Sequence, residues 1–449
     1  MLFTNKDLKK LIIPLIIEQI LLITVGIADT MMISGVGEAA VSGVSLVDTV
    51  NVLIMNILGA IATGGAVVAG HYLGQKDAKN ASRAAWQLML FSAILSIVIT
   101  ILFVGAHDFI LRQVFGRIEP AVMENAKTYL LITAISIFPM AIYNVGAALF
   151  RSMGNSKVTM CISMIMNVIN ITGNAIMIYG LHMGVAGAAI PTVVSRIVAA
   201  VIIFVMLFNS NRVIHLRGQF TLRLNRHLIQ KILYIGVPNG LENSLFQLGK
   251  ILLLSLISTF GTVAIAANAV ANTVTMFNII PGLAIGFAQL STVSVCIGAG
   301  DNKQARYYTK KLMGITYVGM TIMSVLVLIF AKHILGIYHL SAQTQALAEQ
   351  VVRFHAVMVL VAWVPSFSLP NTFRAAGDVV IPMVIAIISM WIFRIGAAYL
   401  LSVYWNMGLM GIWVAMIIDW IFRAICYTIR YLRGDWSKEC FDKKQTHII

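Results

Sequence analysis

LIIPLIIEQILLITVGIADTMMISGVG, residues Leu11–Gly37, is an apolar run long enough to cross a bilayer, with Pro14 near its start and two carboxylates, Glu18 and Asp29, inside it. A charge at bilayer depth is costly, so a carboxylate is kept there only where a cavity, a partner or a proton relieves it. The stretch reads as a membrane helix that carries a working polar group.

Composition extends that reading to the whole chain. The 449 residues are 59% hydrophobic and 11% charged, with mean hydropathy +0.89, whereas soluble domains carry about 25% charged residues. Apolar runs near 11–33, 44–72, 84–106, 126–149, 158–180, 186–208, 231–258, 263–297, 308–330, 346–373, 379–404 and 409–432 predict an all-α polytopic membrane protein of about twelve transmembrane helices.

A net charge of +15 suggests nucleic acid, but the placement of the basic residues speaks against it. Lys6, Lys9, Lys10, Lys76, Lys79, Arg83, Arg151, Lys157, Arg374 and the clusters at 212–231, 303–311 and 430–444 fall in loops on one side. The other side offers Arg112, Arg117, Lys127 and Lys332. Short Lys- and Arg-rich loops stay cytoplasmic, so both termini are expected inside, in the inner (plasma) membrane. The first apolar run is too long for a cleavable signal and is expected to stay as an anchor. Cys161, Cys296, Cys426 and Cys440 show no metal-ligand spacing, so neither a disulfide nor a metal site is expected.

An internal repeat organises the chain. Residues 14–89 and 238–313 register without gaps at an offset of about 224, matching Pro14 with Pro238, Glu18 with Glu242, Gly37 with Gly261 and Asp77 with Asp301. RSMGN at Arg151 echoes RAAGD at Arg374 with a one-residue slip, and Gly187 echoes Gly411. The expected organisation is an N-terminal six-helix lobe (1–209), a cytoplasmic linker (210–230), a C-terminal six-helix lobe (231–432) and a cytoplasmic tail (433–449). Two parallel halves of this kind are the plan of secondary transporters, with sites near the midplane.

The repeat also sorts the intramembrane polar residues. Glu18 and Glu242 are mates four residues after their prolines, which suits either capping of freed backbone or lining of a cavity; Pro14 and Pro238 are candidate hinges. Asp29 has no acidic mate, because Leu253 takes its place. Lys250, two turns after Glu242, reads as a salt-bridge partner or a substrate counter-ion. Asp48 is a further cavity candidate, and Asp419 with Arg423 has the i,i+4 spacing of an intrahelical pair. Asn167, Asn170 and Asn174 share one helix face, either as glue between helices or as oxygen ligands for a small cation, and Thr192 supplies another oxygen.

The spacing of Pro14, Asp29 and Gly37, the RSMGN stretch, the Asn170/Asn174 pair and GVAGAAIPT (Gly184–Thr192) together resemble the multidrug and toxic compound extrusion transporters, in order and over essentially the whole chain. The resemblance implies two six-helix lobes in a V and a monomer. It also implies antiport of amphiphilic or cationic organic compounds against H+ or Na+, with membrane lipids as surroundings and no cofactor. The family's amino-lobe cation site falls on Asp29, Asn170, Asn174 and Thr192. The family has a second carboxylate where this chain has Asn174, and the stretch VVRFHAVMVLVAWVPSFSLPNTFR (351–374) of the tenth helix has no carboxylate, so H+ at Asp29 is favoured over Na+. Two rival functions are a flippase of the same superfamily, for a lipid-linked oligosaccharide or peptidoglycan precursor, and a membrane-embedded enzyme. No serine–histidine or metal constellation supports the enzyme.

Overall fold

The computed structural model describes residues 2–114, 119–338 and 340–437, apart from the side chains at 113 and 114. Arg117 and the tail from Lys438, with Cys440, Lys443 and Lys444, lie outside the described residues. Among the described residues, eleven helices are long and apolar enough to cross a membrane: α1 (Asn5–Ser34), α2 (Glu38–Gly74), α3 (Ala78–Gly105), α5 (Ser156–Gly180), α6 (Ala186–Leu207), α7 (Arg226–Ser258), α8 (Thr262–Gly298), α9 (Asn302–Gly336), α10 (Ala342–Ala376), α11 (Val380–Tyr404) and α12 (Gly408–Arg433). The twelfth, α4, is a bent pair, Pro120–Ala134 and Ile137–Ser152, with 49° between its parts. Each overlaps one of the apolar runs, and the described residues contain no strand. The protein is a multi-pass, all-helical membrane protein.

The chain divides into two compact units, Asn5–Gly240 and the residues from Leu241 onward joined by those before Asn5. The division falls inside α7, two residues beyond Pro238. Both α1 and α7 run as continuous helices through Pro14 and Pro238. In α1 the carbonyl that Pro14 leaves without its helical donor, Lys10 O, accepts from the Ser156 hydroxyl at 3.3 Å, and Leu11 O does so at 2.6 Å. Ser156, not Glu18, therefore satisfies the freed backbone.

The repeat mates share local chemistry. Gly37 (φ 136°) and Gly261 (φ 87°) precede α2 and α8 in a backbone region that favours glycine. Asp77 and Asp301 cap α3 and α9, accepting from the backbone N–H of Asn80 and Gln304 at 3.0 and 2.9 Å. Those bonds hold both carboxyls below the usual carboxylate range, so what they add to stability is present at neutral pH and lost as pH falls through the lowered value.

Helices in lipid gain little from apolar burial and depend on close packing through small residues. A Cβ on Gly64 in α2 would sit 2.5 Å from Ile232 O and 2.8 Å from Gly236 N in α7, both backbone atoms that cannot swing aside. Gly59, in the same helix, has nothing within 4 Å of the same position. Gly64→Ala is thus expected to destabilise by about 1–3 kcal/mol through overpacking, while Gly59→Ala is neutral or gains from helix propensity. Thermal unfolding of the two detergent-purified variants checks this, and equal midpoints would refute the close contact.

Candidate functional site

In the unit Asn5–Gly240, α1, α5 and α6 bring the four predicted cation-site residues into one chain of hydrogen bonds. Asn174 Nδ2 donates to Asp29 Oδ1 at 2.6 Å and to Asn170 Oδ1 at 3.3 Å. Asn170 Nδ2 donates to Thr192 Oγ1 at 2.9 Å, and Thr192 donates back to Ala188 O at 3.0 Å. Asn170, Asn174 and Thr192 are buried, Asp29 is half-buried, and Asn174 Oδ1 is a buried acceptor with no donor. Asn167, on the same face, donates to Leu21 O of α1 at 2.8 Å and so fastens α5 to α1. One carboxylate, two amides and a hydroxyl can hold a single positive charge. Asp29 can also take a proton outright.

The site reaches further than the sequence indicated. Asp48 of α2 is solvent-accessible and interacts with the side chains of Asn51 and Tyr129. Arg196 of α6 donates to Ser136 Oγ at 2.6 Å and lies within electrostatic range of Asp29, Asp48 and Tyr129. Arg196 was legible in principle, since it lies four residues beyond Thr192 on the same helix face. Tyr129 and Asn51 carried no such signal.

Glu18 belongs to a different construction. Its carboxylate accepts from Arg151 Nη1 at 3.2 Å and from Thr159 Oγ1 at 2.6 Å, and it is buried. Glu242 accepts from Arg374 Nη2 at 2.8 Å. The two glutamates are repeat mates, and the two arginines open the RSMGN and RAAGD stretches, so each unit contains the same Glu–Arg clasp. Sequence reading noted both echoes and missed that they bind one another.

In the second unit the Lys250–Glu242 bridge, one of the two readings of Lys250, is not formed. Two helical turns separate the two residues by about 12 Å along the axis, and Glu242 is already held by Arg374. Lys250 Nζ lies instead 5.1 Å from the centre of the Phe246 ring. The i,i+4 pair of Asp419 and Arg423 is present at 2.9 Å, and Asp419 also accepts from Arg394 at 3.4 Å and from the Ser389 hydroxyl.

Comparison with known proteins gives the same architecture. The MatE family model matches the chain twice, at residues 14–176 and 238–400, so the two matches begin and end 224 residues apart. The chain is 28% identical over 436 residues to an uncharacterized transporter, YisQ, of Bacillus subtilis strain 168, covering 95% of this chain and 94% of that protein. It is 25% identical over 445 residues to the probable multidrug resistance protein NorM of Thermotoga maritima, covering 97% and 93%. Among solved structures, an outward-facing multidrug resistance MATE family transporter of the MOP superfamily superposes with a TM-score of 0.90 at 23% identity, covering 97% of this chain and 96% of that one.

Proposed function

Because the chain belongs to the MatE family of membrane transporters, we propose that it is a secondary antiporter that exports amphiphilic or cationic organic compounds in exchange for H+ entering at Asp29. The observation that carries this reading is the Asp29–Asn174–Asn170–Thr192 chain, in which a single carboxylate is served by neutral partners. One proton neutralises that group completely. A sodium ion there meets one anionic ligand instead of two, which is why H+ is favoured over Na+.

Protonation removes the desolvation cost of a buried carboxylate, so a conformation that encloses Asp29 more fully is favoured once it is protonated. Asp29 is tied directly to α5, and α1 carries Pro14 as a point of bending, so loading the site changes how α1 lies on α5 and α6. In this mechanism that change releases substrate outward. The proposed setting is the plasma membrane with both termini cytoplasmic, as a monomer, with the basic 210–230 stretch as a linker at the cytoplasmic surface.

The test is ethidium transport in proteoliposomes of the full chain. A pH gradient without sodium is expected to drive accumulation, and a sodium gradient at equal pH to drive little. Full-rate transport on sodium alone would transfer the coupling to Na+, and accumulation with neither gradient would remove antiport. Flipping of a lipid-linked precursor is the second reading. The cationic side chains around Phe246, in the unit that follows Leu241, favour it.

A further inference from the structure

The unit that begins at Leu241 gathers positive charge around one aromatic ring. Lys250 Nζ, Arg394 Cζ and Arg423 Cζ lie 5.1, 4.9 and 5.5 Å from the centre of the Phe246 ring. Phe367 stands edge-on to it at 6.5 Å and also carries Arg423 at 5.7 Å. Three cations here face one carboxylate, Asp419, which is fully occupied by Arg423, Arg394 and Ser389. Two further carboxylates of this unit are committed as well, Glu242 to Arg374 and Asp378 to Arg430.

Two donors are left over. Arg394 is 7% exposed, yet its Nε is buried with no hydrogen-bond partner. Lys250 is exposed, has no carboxylate within salt-bridge distance among the described residues, and is in electrostatic contact with Arg394. A ring face offers each cation a modest attraction, but it does not offset the repulsion among three like charges at membrane depth. An anion does.

The repeat sharpens the contrast between the halves. At the 224-residue offset of the first two helices, Lys250 takes the place of Gly26, while Asp29 is replaced by Leu253. The acid of the first unit has no counterpart in the second, and the ammonium of the second has none in the first.

We propose that Lys250, Arg394 and Arg423, arrayed on Phe246, form a binding subsite for an oxyanion, a carboxylate or phosphate borne on an apolar or aromatic body that lies against Phe246 and Phe367. Arg394 Nε and Lys250 Nζ supply the donors, and Arg423 the fixed positive field. The body comes either from a soluble organic anion or from an anionic lipid whose headgroup enters the unit. The subsite goes beyond the antiport reading and holds whichever ion drives transport.

Equilibrium binding without any gradient tests it, so failure of the coupling assignment leaves the result interpretable. The probes are 1-naphthaleneacetate and its uncharged amide, read by quenching of tryptophan emission; Trp363 and Trp420 lie 5.2 and 5.6 Å from the Phe367 ring. The purified full chain is expected to bind the acid about tenfold or more tightly than the amide, as a charge-assisted bond requires. Lys250→Gln should abolish that preference with amide affinity unchanged, which shows the protein is folded, and Lys250→Arg should keep it. In nanodiscs, weaker acid binding when phosphatidylglycerol replaces phosphatidylcholine, in wild type but not Lys250→Gln, assigns the subsite to a lipid headgroup. Unchanged acid binding assigns it to a soluble anion. Equal affinity for acid and amide, no acid binding by the wild type, or a preference surviving in Lys250→Gln overturns the proposal.

Discussion

Asp29→Asn is expected to reduce gradient-driven ethidium transport to the level of empty liposomes while leaving the protein folded and in the membrane. The substitution keeps the size and shape of the side chain, and its amide oxygen still accepts from Asn174 Nδ2, which now approaches at 2.6 Å. Packing and the Asn170–Thr192 bond are untouched. What disappears is the one negative charge of the hydrogen-bonded chain, and with it any means of taking up and releasing a cation. Stability is therefore expected to change by no more than about 1 kcal/mol, the scale of one hydrogen bond made weaker. Thermal unfolding in detergent and transport in proteoliposomes separate the two effects. Near-normal proton-driven transport by this variant would end the assignment of coupling to Asp29. Asp48→Asn is the informative companion: Asp48 is solvent-accessible and outside the hydrogen-bonded chain, so a partial loss is expected.

Asp419→Asn should do the opposite, damaging the fold first. Asp419 is 0% exposed and accepts from Arg423, Arg394 and Ser389, the two arginines being 2% and 7% exposed. A neutral amide offers one acceptor oxygen and turns an N–H toward a guanidinium. Two buried cations then lose their counter-charge, a change worth about 3–5 kcal/mol where one partner of a buried pair is removed. The expected readout is a large drop in the thermal midpoint and poor accumulation in the membrane. Combining Asp419→Asn with Arg394→Gln removes one of the stranded charges and should recover part of the loss, as coupled neighbours do. An unchanged midpoint in the single variant would mean that the pair contributes nothing to stability.

The two variants also mark what could be read in advance. The i,i+4 spacing of Asp419 and Arg423 lies on one helix and was legible, whereas the approach of Arg394 and Ser389 from α11 was not. For Asp29, the missing acidic mate and the family-like spacing pointed to Asn170, Asn174 and Thr192, residues that the structure brings together. Arg196 follows Thr192 by one helical turn and shares its face, whereas Tyr129, which also shares the electrostatic surroundings of Asp29, comes from a helix whose relation to α1 no spacing in the chain encodes.

By itself the sequence determined the membrane-spanning helices, the internal repeat and the odd carboxylate in α1. Bilayer thickness converts hydropathy directly into helix length, and a repeat is a one-dimensional property that an offset reveals. Tertiary structure alone decided the partners. Glu18 meets Arg151 across 133 positions and Glu242 meets Arg374 across 132, and Lys250 lies not on Glu242 but on a ring shared with two arginines. A buried charge must find a counter-charge within a few ångströms, and which one it finds depends on which helices pack side by side.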